Sequence, residues 1–330
     1  MQEKCKAHGR ESTFMAVTSD TSALQLKKIN KRSFLQKLVI QRWLILMALP
    51  AFALVLVFHY FPIYGILIAF KDYSVAKGVW ASEWAGLKHF RLFLNNPLAG
   101  RLFTNTLRIG VSTLIFTFPA PIILALLLNE INSTIYKRFV PSISYIPPLI
   151  SVVVLVGILN HFSLRDGLFN VVRGWIGLKP ALMMASTRYF VPLYVGSAVW
   201  QGVGWGTIIY LAALTGVDPT LYDVASIDGA NRWHKMRYIS LPAIKPTTTI
   251  LLILSLRGIL GSDFEKILLM QNDANRSVAD VINTYVYREG IQGARFEYST
   301  AVSLFLSVIS FIIVISANYL SRKVSENSLW

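Results

Sequence analysis

The sequence predicts an all-α polytopic membrane protein with six transmembrane helices. Three observations carry that prediction. Of 330 residues 54% are hydrophobic and only 15% charged, stretches without Lys, Arg, Asp or Glu recur at bilayer length, and the basic residues lie mostly between those stretches. At ~150 residues per domain the length alone would suggest two soluble domains, but the chain is too apolar for that. An excess of 32 Lys and Arg over 17 Asp and Glu, net +15, would raise the question of nucleic acid. Its placement between apolar runs belongs to membrane topology, and no nucleic-acid partner is expected. The one cysteine, Cys5, excludes an internal disulfide and any cysteine-built metal site.

Each span follows from length. A hydrocarbon core ~30 Å thick takes about 20 apolar residues in a helix, because lipid offers backbone N–H and C=O groups no partner. Trp43 to Phe70 is uncharged and exceeds the ~7–15 residues of a signal-peptide core, so it reads as a retained anchor. Residues 1–42 before it carry nine Lys or Arg against three acids, which puts this polar, aperiodic arm in the cytoplasm. Ile109 to Asn129 forms the uncharged part of a second span over 104–129, and Phe139 to Leu164 holds a third over 139–161. The fourth is 189–217. Pro242 to Ser262, interrupted by Lys245 and Arg257, makes the fifth, and 298–321 the sixth. The transmembrane domain thus covers 43–321, and six spans return the tail, 322–330, to the cytoplasm.

Prolines 50, 62, 119, 121, 147 and 148 and the GVGWG run at Gly202 to Gly206 lie within the spans. Kinks and close helix packing are their first reading, ahead of a role in a transport path. Gln201, Trp205 and Tyr210 in the fourth span are the candidate pathway residues. Arg108 and Arg257 join them as charges inside spans, where an ionised group is costly and therefore suspect as functional. Snorkelling toward the outer interface is their plainer reading.

No GxxxxGK[ST] loop, HExxH pair or GxSxG elbow occurs, which removes the phosphate-loop, zinc-protease and nucleophile-elbow chemistries from consideration. No catalytic residue, metal ligand or cofactor site is expected in this chain.

The segment from Gly216 to Pro242, GVDPTLYDVASIDGANRWHKMRYISLP, is the most informative. Asp218-Pro219 is an N-cap followed by proline at the first helical position, and Leu221, Val224 and Ala225 form an apolar stripe. Asp228-Gly229 marks a turn. Trp233, Met236 and Ile239 then suggest a second amphipathic helix, with Ser240 capping the next span and Pro242 in that span's first turn. Such a knob suits either a protein partner or the lipid headgroups.

DVASIDGA followed by ISLP resembles the EAA motif, EAAxxDGAxxxxxxxxIxLP, of membrane subunits of bacterial ATP-binding cassette importers. YFPIYGILIAFKDY at Tyr60, FPAPIILALLLNEI at Phe118, SYIPPLISVVVLVGIL at Ser144 and TYVYREGI at Thr284 are similar to the polysaccharide and oligosaccharide branch of that family, close to the first permease subunits of alginate importers. The resemblance runs from about residue 40 to the C-terminus. It implies a type I importer permease in a bacterial inner membrane, with segment 216–242 as a coupling helix that docks on an ATPase subunit through Asp223, Ala225, Asp228, Gly229, Ala230, Ile239, Leu241 and Pro242. Asp223 stands where the motif has Glu, and Val224 where it has its first Ala. The implied partners are a second permease subunit, an ATPase dimer that holds ATP and Mg, an extracytoplasmic solute-binding protein, and an anionic, alginate-like saccharide. The alternatives are a secondary carrier for a small solute, a channel and a membrane-embedded enzyme. A carrier would be expected to show inverted repeats and acids within the spans; the sequence shows neither.

Overall fold

A computed structural model of the chain describes residues 41–131 and 133–324. The expected arm up to residue 40 and residues 325–330 of the expected tail lie outside the described residues. The chain divides into a unit at residues 1–64 and another at 65–330. In the first, α1 (Arg42–Val55) contains Pro50 and leads into a π-turn at Leu56–Tyr60. A 3-10 stretch, Phe61–Phe70, follows.

The second unit starts within that stretch, at Gly65, and continues into a short antiparallel hairpin in which Lys71 pairs with Trp84 and Asp72 with Glu83. Its helices are α2 (Ala99–Thr117), α3 (Pro119–Glu130), α4 (Thr134–Ser144), α5 (Val152–Phe162) and α6 (Thr187–Thr215). After them come α7 (Pro219–Ile227), α8 (Arg232–Lys235), α9 (Lys245–Leu256), α10 (Phe264–Met270), α11 (Ile282–Tyr287) and α12 (Phe296–Val324). By length and composition, the runs 42–70, 99–130 and 296–323 can each cross a membrane, and two bent helix pairs bring the number to as many as five. The expected fourth span coincides with α6, which is 29 residues long and diluted in hydropathy by Gln201 and its glycines.

Two of the expected spans are not single helices. The stretch 139–161 bends by 99° between Leu149 and Val152, because Pro147 and Pro148 supply no N–H to an α-helical ladder. Ile150 and Ser151 then turn extended, and Ser151 caps α5 by accepting from Val154 N. The fifth expected span is likewise broken, by 61°. Helical structure from Arg232 to Ala243 ends at Ile244 and α9 starts afresh at Lys245 with Pro246 in its first turn. Pro242 therefore sits in the last turn of the segment before the span. Ser240 caps nothing: it lies inside a π-turn, Met236–Ser240, and its hydroxyl meets Tyr222 Oη at 2.9 Å.

Glycines set the closest helix contacts. A Cβ on Gly110 of α2 would fall 1.8 Å from the Ile259 carbonyl oxygen, and one on Gly204 of α6 2.0 Å from that of Ser144. Gly202 has open space instead, so the GVGWG run divides between packing and something else. Three apolar clusters form around these contacts. One gathers Ile109, Leu155, Phe190, Tyr194, Ile267 and Met270; a second gathers Phe93, Leu102, Leu260, Ile282, Tyr298 and Val302; a third is built on Ala125, Leu126, Tyr210, Leu214 and Ile244. Segment 263–287, which the sequence places in an outer connection, thus folds into the core through α10 and α11.

Candidate translocation cavity and coupling segment

A cavity of about 450 Å³ opens among α2, the Pro148 bend, α6 and residues 258–266. α6 delivers Tyr194, Gln201 and Trp205 to it, at spacings that return to one helix face. The wall opposite in sequence is short and small: Gly258, Gly261 and Ser262 precede Asp263, the N-cap of α10, whose carboxylate accepts from Lys266 N at 3.3 Å. That cap starts the helix and thereby turns Lys266 inward, where it is 1% exposed. Lys266 Nζ donates to Gln201 Oε1 at 3.2 Å and lies 5.3 Å from the centre of the Tyr194 ring. Tyr194 Oη accepts from Asp263 N at 3.1 Å, closing the group. Trp205 keeps 66% of its surface exposed. The cavity therefore offers an aromatic face, an amide, a hydroxyl and a cation, a donor set suited to a polar solute with apolar faces.

The pathway candidates read from the sequence separate here. Gln201 and Trp205 line this cavity. Tyr210 does not: it is 2% exposed in the cluster with Leu126 and Ile244, a core residue. Arg257 lines a different cavity, of about 490 Å³, with Asn283, Ser303 and Ser307. Arg108 is exposed and borders neither. Asp263 and Lys266 were absent from the candidates because they follow the fifth span in sequence, and Ser262 because it is that span's last residue. A readable signal was available: Asp263 three residues before Lys266, with Ile267 and Met270 at helical spacing, marks a capped helix with one apolar face.

The segment 216–243 forms a separate knob. Asp218 caps α7 by accepting from Thr220 N at 2.9 Å, and this bond holds its carboxyl below the usual carboxylate range. α7 ends in a Schellman motif: Gly229 N donates to Ser226 O and Ala230 N to Ala225 O. Gly229 takes φ +77°, the left-handed conformation the motif requires. Asn231 then caps α8 by accepting from His234 N. The two arms are joined by the Tyr222–Ser240 bond and by Lys235 Nζ donating to Ser226 Oγ at 2.6 Å. Leu221, Val224, Ile227, Trp233 and Tyr238 are all exposed, Ile227 at 86%. Of the residues that the motif marks, Asp223, Asp228, Gly229, Leu241 and Pro242 are exposed, and Ala225, Ala230 and Ile239 half-buried. The knob presents a bare apolar face on a braced scaffold.

Among the described residues no cluster of three or more His, Cys, Asp or Glu side chains is placed to hold a metal. Residues 117–326 match the model of a family described as binding-protein-dependent transport system inner membrane component. Protein LplB of Bacillus subtilis (strain 168) is 42% identical over 299 residues, 90% of this chain and 94% of that protein. The polygalacturonan/rhamnogalacturonan transport system permease protein YteP of the same organism is 41% identical, over 93% of this chain and 96% of YteP. A chain in the crystal structure of a bacterial alginate ABC transporter, in complex with an alginate pentasaccharide-bound periplasmic protein, superposes with a TM-score of 0.81. It is 36% identical and covers 90% of this chain and 99% of that one.

Proposed function

Because this chain belongs to the family of binding-protein-dependent transport system inner membrane components, we propose that it is the permease subunit through which an ATP-driven importer passes an anionic oligo- or polysaccharide. The saccharides named for YteP and for the superposed transporter, polygalacturonan/rhamnogalacturonan and alginate, are acidic, whereas the more distant AraP, 29% identical, is named for arabinooligosaccharides. The cavity wall carries a buried cation beside an exposed indole, which favours the acidic class. The chain contributes no catalysis in this reading. ATP and Mg are held by two partner ATPase subunits, a second permease completes the path, and a binding protein delivers the saccharide from outside. Both termini face the cytoplasm.

The observation that supports coupling is the knob. Its apolar face is uncovered and its frame is tied together, and its two ends continue into α6 and α9. ATP binding moves the transporter only if it favours the closed ATPase pair over the open one, since a ligand with equal affinity for both shifts nothing. The knob is where that preference enters this chain. The secondary-carrier alternative has no comparable support. In the assembled transporter, Asp223→Lys places a cation where the docking partner meets a carboxylate. The expected outcome is a subunit that remains in the membrane with saccharide-stimulated ATP hydrolysis abolished; hydrolysis at the wild-type level would overturn the coupling assignment.

A further inference from the structure

Lys266 is unusual for its surroundings. A buried ammonium is normally paired with a carboxylate, because an isolated charge away from water is expensive. Yet among the described residues no carboxylate lies within 4.0 Å of its Nζ; its hydrogen-bond partner is the neutral Gln201 amide. An ammonium has three N–H donors, so donor capacity remains. Ser262, four residues earlier and on the same cavity wall, is 8% exposed and its Oγ has no hydrogen-bond partner. Buried hydroxyls are nearly always satisfied. Two incompletely partnered donors thus face one cavity, with the Trp205 indole in its lining.

We infer that Lys266 and Ser262 form a subsite that binds the carboxylate of a uronate unit in transit, with the apolar face of the sugar ring on Trp205. This rests on the saccharide-importer reading and adds to it the atoms that distinguish an acidic sugar from a neutral one. The carboxylate completes the ion pair that Lys266 lacks and accepts from Ser262 Oγ. Gln201, already bound to Nζ, holds the ammonium in place, and Asp263 at the rim is an acceptor for a ring hydroxyl. The assignment is chemical: a neutral hexose would bring no carboxylate to the ammonium, on which Asp263 acts only from beyond 4.0 Å.

The test compares trigalacturonate with its fully methyl-esterified form, which has the same rings and linkages without the charge. Their equilibrium binding to the purified complete transporter is measured for wild type, Lys266→Gln, Lys266→Arg and Ser262→Ala. Wild type should prefer the acid, and Lys266→Gln should lose roughly ten- to hundredfold in affinity for the acid alone, the range of a hydrogen bond to a charged group. Lys266→Arg should restore most of the preference, and Ser262→Ala should weaken acid binding several-fold. Should Lys266→Gln fail to assemble, the arginine and alanine variants carry the same comparison. An acid-to-ester ratio that no variant changes, or a wild type without preference, overturns the subsite. Uptake of trigalacturonate or trimannuronate into proteoliposomes, driven by ATP and the binding protein, reports separately on the reading beneath it. Uptake without binding preference refutes the subsite alone, and no uptake of either acid refutes both.

Discussion

Gly229 offers a perturbation whose two explanations predict opposite orders. Its φ of +77° is left-handed, and a Cβ built there meets no atom within 4 Å. Any penalty within this chain is therefore conformational. An L-residue in that region loses roughly 1–2 kcal/mol relative to glycine, so Gly229→Ala should depopulate the turn by about 5- to 30-fold. Asn tolerates the left-handed region and a β-branched residue does not, which gives the order Gly, Asn, Ala, Val. If bulk at the docking face decided the outcome, Asn would be worse than Ala, because it is larger. The assay is saccharide-stimulated ATP hydrolysis by the assembled transporter, with membrane content of each variant measured in parallel. Asn falling below Ala at equal membrane content would refute the conformational argument and point to contact with the partner.

Three other outcomes are expected. Gly110→Ala should lower the thermal stability of the purified complex, since the added carbon falls 1.8 Å from the Ile259 carbonyl and backbone must shift, whereas Gly202→Ala, with open space, should leave melting unchanged. Asp280, 2% exposed, receives both guanidinium nitrogens of Arg288, at 3.1 and 2.8 Å, and the Thr284 hydroxyl. Arg288→Ala strands that carboxylate and should destabilise the fold by about 3 kcal/mol, near the lower end for broken buried pairs because Arg288 is partly exposed, read as a fall in melting temperature that Asp280→Asn in the same chain partly reverses. For topology, Asn95→Cys, Lys179→Cys and Asp273→Cys in a Cys5→Ser background should react with an impermeant thiol reagent applied outside, and Arg237→Cys should not. Asp273 suits the reagent because its side chain is fully exposed, unlike its neighbour Asn275, which is buried.

What the sequence disclosed tracks how local each cause is. The Asp218 cap, the turn at Gly229 and the apolar residues on the knob follow from neighbours a few positions apart, and each was readable. Gln201 and Trp205 were legible as polar and aromatic residues in an apolar run, but so was Tyr210, and nothing within the run separates a cavity wall from a core. That separation depends on which helix packs where: Tyr210 meets Leu126 and Ile244, far away in the chain. The bend at Pro147-Pro148 was visible as composition, not as an angle. Lys266 was missed for the same non-local reason. A hydrophilic stretch after a span reads as a loop, and only the tertiary packing of Ile267 and Met270 against Ile109 and Phe190 carries it inside.

The knob's attachment has a mechanical consequence. From Gly216 back to Gln201 is 15 residues of α6, about 22 Å at the helical rise, and from Ile244 forward to Gly258 is 14 residues, about 21 Å. The two struts are nearly equal in length, and each runs without a break in covalent continuity from knob to cavity. Displacement applied at the knob needs no relay of side chains: a tilt of about 5° over such a strut moves its far end about 2 Å, the scale of the helix shifts that switch other proteins. Matched struts also give the two cavity walls lever arms of similar length, so in the proposed coupling equal tilts would move them by similar amounts.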